Sequence, residues 1–165
     1  MDGAQRAGFF RLKTPLDLLK KMEFHFDQLM ANPLDEYAAF DFFVAAAHLP
    51  EWLGRFGCNP GDGDAREMAM RRLCTHLAVG AKHFVPDERH VSFRAMTHAT
   101  PARSGIARSG ITFSGGLLPK PIVLLEDDAA AALGVPVVST IALAQMVLIY
   151  WQGHAAIKRA AAKSV

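Results

Sequence analysis

Cysteine is nearly missing: 165 residues hold only two, Cys58 and Cys74, with no CxxC spacing, which excludes a disulfide framework and a zinc ribbon. Also absent are a glycine-rich phosphate loop, a GxSxG elbow, an HExxH helix and paired carboxylates in a glycosidase-like context. With them go the corresponding nucleotide hydrolases, serine hydrolases, zinc peptidases and glycosidases. No apolar run follows Arg6, Arg11 and Lys13, so an export signal is not expected. With so few cysteines, the expected setting is a reducing cytoplasm.

Two further absences concern charge. Between Asp128 and Lys158 no Asp, Glu, Lys or Arg occurs, a stretch long enough to cross a bilayer. Gly134, Pro136, Ser139, Thr140 and Gln145 interrupt it, much of the rest is weakly apolar Ala, and a helix start falls near Ser139-Thr140. A buried helix is expected there, and no membrane association. From Arg89 to Lys120 no acidic residue occurs. Residues 1–67 carry eleven acidic against seven basic side chains, and residues 68–120 two against eight. An anionic partner would therefore meet the middle third.

What is present is apolar. Just over half of the side chains, 51%, are hydrophobic, enough for one domain over residues 1–165 with its own core. Thr14-Pro15-Leu16-Asp17 combines a capping hydroxyl, a first-turn proline and a first-turn carboxylate, and predicts a helix over 15–31. Asn32-Pro33 stops it, Asp35-Glu36 favour the start of a second helix over 34–48, and Pro50 is expected to end that one. Asp64-Ala65-Arg66-Glu67 reads as a capping box for a third helix over 64–84, terminated by Pro86. A last helix over 140–162 is apolar nearly all round and predicts a homodimer made through it.

Between the third and last helices the texture alternates. Val91–Met96, Ile111–Phe113 and Pro121–Leu125 read as short strands, Val135–Val138 adds another, and Ala99–Gly110 is a basic Gly/Ser linker. The expected fold is mainly α: a four-helix bundle-like core with a small β-hairpin or β-sheet insertion, basic and β-rich, over about 90–138. Arg94, Arg103, Arg108 and Lys120 in that insertion, interleaved with Phe93, Phe113 and His98, are candidates for following a phosphate backbone while the rings stack bases.

The best candidate for a catalytic site lies on the third helix. At about 100° per residue, Arg72, His76 and His83 fall within roughly 40° of one another, beside Leu73, Leu77 and Phe84. Histidine as a general acid or base, with arginine stabilising a phosphate, suits RNA cleavage by the 2′-hydroxyl without metal. His76, His83 and His90 recur every seven residues near Cys74, but seven positions separate α carbons by about 10 Å, so no metal site or cofactor is expected.

Arg71 followed by four residues and His76 resembles the RxxxxH signature of HEPN domains, small helical bundles that are often dimeric ribonucleases of toxin and antiviral systems. That resemblance assigns Arg71 with His76, whereas regular helix geometry assigns Arg72 to the same face as His76; both arginines stand as candidates. Phe40–Leu53 together with Leu73–Phe84 resembles a family of small uncharacterised bacterial and phage proteins. The sequence thus supports two expectations: a small binding or regulatory protein of bacterial or mobile-element origin acting through protein, RNA or DNA contacts, and a HEPN-like metal-independent ribonuclease.

Overall fold

A computed structural model describes residues 11–83, 96–98, 122–125 and 127–164. The protein is mainly helical. Helix α1 (Pro15–Ala31) starts where Thr14 and Asp17 exchange hydrogen bonds: the Asp17 N–H donates to Thr14 Oγ1 (3.2 Å), and the Thr14 N–H donates to Asp17 Oδ2 (2.9 Å). This satisfies two N–H groups that a helix start leaves unpaired. Asn32, in extended backbone, stops it.

Helix α2 (Glu36–Arg55) is capped by Asp35, whose carboxylate accepts the Ala38 N–H (2.9 Å). The expected stop at Pro50 does not occur: the helix carries Pro50 inside it and runs on to Arg55. A proline in a helix forfeits one backbone hydrogen bond. Here Leu49 and Leu53, both fully buried one turn apart, hold the helix together across it, each contributing about 1.5–3 kcal/mol of burial. The helix closes where the Cys58 N–H donates to the Leu53 carbonyl (2.8 Å), with Gly57 at φ 72°, a left-handed conformation that glycine adopts without strain.

Helix α3 (Ala65–His83) begins with reciprocal bonds between Asp64 and Glu67: the Glu67 N–H to Asp64 Oδ1 (2.8 Å), and the Asp64 N–H to Glu67 Oε2 (3.1 Å). Three three-residue strands follow in the chain, β1 (Met96–His98), β2 (Ile122–Leu124) and β3 (Val137–Ser139), paired antiparallel in the order β1-β2-β3. The register sets Val123 opposite Thr97 on one side and Val138 on the other.

The stretch expected to be β-rich also contains a helix, α4 (Asp127–Leu133), which packs on α3. Its alanine run carries high intrinsic helix propensity, and Gly134 at φ 75° ends it.

The expected single last helix is two. Helix α5 (Thr140–Gly153) is capped by Ser139, and α6 (Ala155–Ala162) follows after His154, whose backbone is extended. Helix α1 packs along α2, α2 along α3, α5 crosses α1 and α2, and α6 contacts α1, α2 and α5. Met22, Leu29, Phe42, Leu73, Leu143, Val147 and Trp151 meet in the core.

The apolar side of α5 is therefore buried within its own chain, so its composition does not demand a second subunit; Ile149 is the large apolar side chain it leaves exposed. Among the described residues no helix is long and apolar enough to cross a membrane. Fourteen residues rise about 21 Å, short of the roughly 30 Å hydrocarbon core.

Candidate functional site

A dense polar arrangement forms where α3, the α5–α6 joint and the loop from Phe56 to Asp64 meet. Arg71, on the second turn of α3, reaches across to α5. Its Nε donates to the Tyr150 hydroxyl (3.1 Å), its Nη2 donates to the same oxygen, and its Nη1 donates to the Gly61 carbonyl (2.5 Å). The guanidinium also lies over the Tyr150 and Trp151 rings, 5.6 and 5.3 Å from their centroids. That is cation–π geometry, which favours arginine because its charge is planar and weakly hydrated.

His154 completes the corner. Its ring packs against Tyr150 (5.1 Å between centroids) and Trp151 (5.3 Å), and its Nδ1 accepts the Ala156 N–H (3.1 Å), capping α6. Accepting at Nδ1 requires a lone pair there, so the ring is neutral with its proton on Nε2. Burial pushes the His154 pKa below its ordinary value, and the charges of Arg71 and Arg159 push the same way, against Glu67. Burial raises the Tyr150 phenol above its ordinary value, with the charges of Glu67 and Asp64 acting the same way, against the hydrogen bond and charge of Arg71.

Two further cations hold the same loop from α6. Arg159 Nη2 donates to the Asn59 carbonyl (3.0 Å), and Lys163 Nζ donates to the carbonyls of Gly57 (2.9 Å) and Phe56 (3.3 Å). Among the described residues, none of Arg71, Arg159 and Lys163 has a carboxylate oxygen within 4.0 Å. Their positive charge meets carbonyl and phenol dipoles instead. The corner is a clamp that ties the loop to both α3 and α6.

A second polar knot joins α1 to α2. Lys21 Nζ lies 2.6 Å from His25 Nε2 and donates to Asp41 Oδ1 (3.2 Å), while His25 Nδ1 donates to Gln28 Oε1 (2.8 Å). An ammonium can only donate, so Nε2 of His25 is the acceptor and Nδ1 carries the proton. His25 is buried, and Phe24 packs edge-on against its ring at 5.2 Å.

Of the residues singled out from the sequence, Arg71 lies in the first of these arrangements, but with Tyr150 as its partner. Arg72 is exposed on the next position of α3, and His76 is 5% exposed among core residues. His83 is the last residue of α3. Arg94, Arg103, Arg108 and Lys120 lie outside the described residues, as does His90. Among the described residues no group of three or more His, Cys, Asp or Glu side chains is placed to hold a metal ion.

Tyr150 and His154 were not among the sequence candidates. Their signal was faint: two rings four positions apart, either side of Gly153, at the end of an apolar helix. The chain matches no protein-family model, no curated protein and no solved structure. The functional reading therefore stands on geometry and sequence pattern.

Proposed function

We propose that the chain is a small binding or regulatory protein that acts by docking a protein partner on the outer side of α1 and α2. One observation carries this reading: between residues 24 and 40 five large apolar side chains are left to solvent, among them Tyr37 (87% exposed), Phe24 (59%) and Phe40 (45%), with Met30 and Leu34. Tyr37 and Phe40 are three residues apart on a helix, hence neighbours, on the side of α2 opposite the buried Ala38, Phe42 and Leu49. Exposed aromatic side chains of this kind are enriched at the centres of protein interfaces.

A second copy of the chain is the simplest partner to test. Sedimentation velocity over a concentration series should show association that disappears when Phe24, Tyr37 and Phe40 are all replaced by Ser, with the thermal midpoint unchanged. If a second copy is not the partner, the same triple variant should lose crosslinking to whichever protein the wild type captures. Unaltered association and capture by the folded variant would defeat the reading.

Nucleic-acid contact is a second reading, favoured by the eight basic against two acidic residues of positions 68–120. Binding through Arg94, Arg103, Arg108 and Lys120 would weaken steeply with salt, and less steeply once Arg103 and Arg108 are replaced. The HEPN-like ribonuclease remains the enzymatic alternative. The burial of His76 and the engagement of Arg71 with Tyr150 weigh against it, because a general acid or base must reach its substrate. RNA cleavage in excess chelator, lost in His76→Ala, would reinstate it. For the fold, we infer that α1, α2, α3 and α5 form a four-helix bundle-like core with the strand-bearing segment inserted between α3 and α5.

A further inference from the structure

We propose that His154 is an acid-sensitive latch for the C-terminal helix: protonating its ring withdraws the cap of α6 and releases α6 from the loop that Arg159 and Lys163 hold. The geometry makes the two protonation states incompatible. In the neutral ring Nδ1 accepts the Ala156 N–H (3.1 Å). A proton on Nδ1 would put two donors face to face, and the ring would have to leave the cap.

The surroundings strengthen this opposition. The Tyr150 and Trp151 rings beside His154 already take the Arg71 guanidinium over them, so a second cation there meets its repulsion. From α3, Arg71 opposes a charge on His154 and Glu67 favours it; from α6, Arg159 opposes it; the Tyr150 phenol beside the ring is neutral. Two cations against one carboxylate, together with the positive end of α6 itself, leave the imidazolium poorly placed. The ring therefore stays neutral near pH 7 and takes up a proton only below the ordinary histidine range.

Release has a defined consequence. Helix α6 has eight residues, too few to persist alone in water. It buries Ala156, Ile157 and Ala160 against the core, and its side chains supply the Asn59, Gly57 and Phe56 contacts. Uncapping it exposes that apolar stripe and frees the loop that precedes α3. The latch would thus couple acidification to exposure of an apolar surface, independently of which partner the α1–α2 side takes.

The test is amide hydrogen exchange resolved by residue, expressed as protection factors so that the intrinsic pH dependence of exchange cancels. Between about pH 7.5 and about pH 5, protection of the α6 amides should fall, steepening toward tenfold per pH unit once the pH is below the ordinary histidine value and levelling off below the lowered folded one, as one linked proton requires. Amides in the middle of α1 should hold theirs. His154→Asn keeps a capping acceptor that does not titrate, so its α6 protection should not vary with pH. In the wild type the Ala156 amide resonance should follow the His154 ring signal with one shared midpoint, a readout that does not depend on the variant folding. Protection of α6 that is constant with pH, that falls only together with α1, or that falls equally in His154→Asn would overturn the proposal, as would separate midpoints for Ala156 and His154.

Discussion

Arg71 and Tyr150, 79 positions apart in the chain, share a hydroxyl that takes two N–H groups of one guanidinium and so fastens α3 to the end of α5. A hydroxyl has one proton of its own and two lone pairs. With both lone pairs taken by Arg71, Tyr150 acts toward its neighbour as an acceptor only, and the pair serves as a tie between helices.

If that tie carries stability, Arg71→Ala should lower the unfolding free energy by about 2 kcal/mol, since hydrogen bonds to charged groups contribute roughly 1.5–3 kcal/mol. Tyr150→Phe should cost about 1 kcal/mol, and the double variant should cost less than the two added together, with a coupling of about 1 kcal/mol. Arg71→Lys should rescue little, because one ammonium cannot reproduce the fork. Urea denaturation of the wild type and these four variants measures each of these effects.

Tyr150 should also titrate late. Its folded pKa is raised above 10.0 by burial, so the folded state keeps its proton where the unfolded state loses it. The sign follows: this contribution to stability is whole below pH 10 and declines as pH rises above the unfolded value. In a Tyr37→Phe background, the remaining phenolate absorbance should appear above pH 10, and Tyr150→Phe should blunt the alkaline loss of stability.

At the other end of the pH scale the α1 cap should fail. Burial by itself would raise the Asp17 pKa, but hydrogen bonds from the Thr14 hydroxyl and the Lys13 and Thr14 N–H groups, with the Lys20 charge, lower it below 3.8. A depressed carboxyl contributes stability that is complete above the unfolded value and disappears as pH falls through the folded one. Thermal midpoints of the wild type should therefore drop below about pH 3.8 more than those of Asp17→Asn, while Thr14→Ala should cost about 0.5–2 kcal/mol near neutrality.

Two glycine substitutions should move stability in opposite directions. At Gly63, φ is 75° and an added Cβ would sit 2.2 Å from Glu67 Oε2, the oxygen that caps α3. Gly63→Ala should cost about 1–3 kcal/mol through backbone strain and loss of that cap. At Gly54, inside α2, an added Cβ meets nothing within 4 Å, so Gly54→Ala should stabilise by about 0.4–1 kcal/mol. Thermal unfolding of the two variants distinguishes them.

The thiols should be silent until the protein opens. Cys58 and Cys74 are both buried, and burial pushes the Cys74 thiol up to about 12, far from the thiolate that reacts. A disulfide reagent at about pH 8 should modify neither in the native protein over minutes, and both at once in denaturant. Fast labelling of Cys74 in the folded protein would contradict its place in the core.

The helix starts were legible in the sequence because capping is local chemistry. Thr14 with Asp17, Asp35 with Glu36, Asp64 with Glu67, and Ser139 all lie within a few residues of the N–H groups they serve. Pro50 misled, since a local rule says that proline ends a helix, while the burial of Leu49 and Leu53 is a tertiary fact that overrides it. The break at His154 had one local signal, Gly153, but a single glycine beside apolar, helix-compatible stretches does not by itself end a helix; the extended backbone at His154 and its ring's bond to Ala156 mark the boundary.

The candidate site divides along the same line. That positive charge and imidazole groups gather on α3 is written in the order of residues 71–83, as is the basic excess that follows. What Arg71 engages was decided by packing. Helical geometry relates Arg72 to His76, but the contacts that hold Arg71 come from Gly61 in a loop and Tyr150 on α5. By itself the sequence determined where helices begin, where charge accumulates and which side chains are apolar, because each depends on neighbours within about one turn. The tertiary structure decided that Arg71 clamps α3 to α5, that Arg159 and Lys163 hold the loop before α3, and that Phe24, Tyr37 and Phe40 face solvent while Phe42 is buried, because each depends on which distant segments burial brings together.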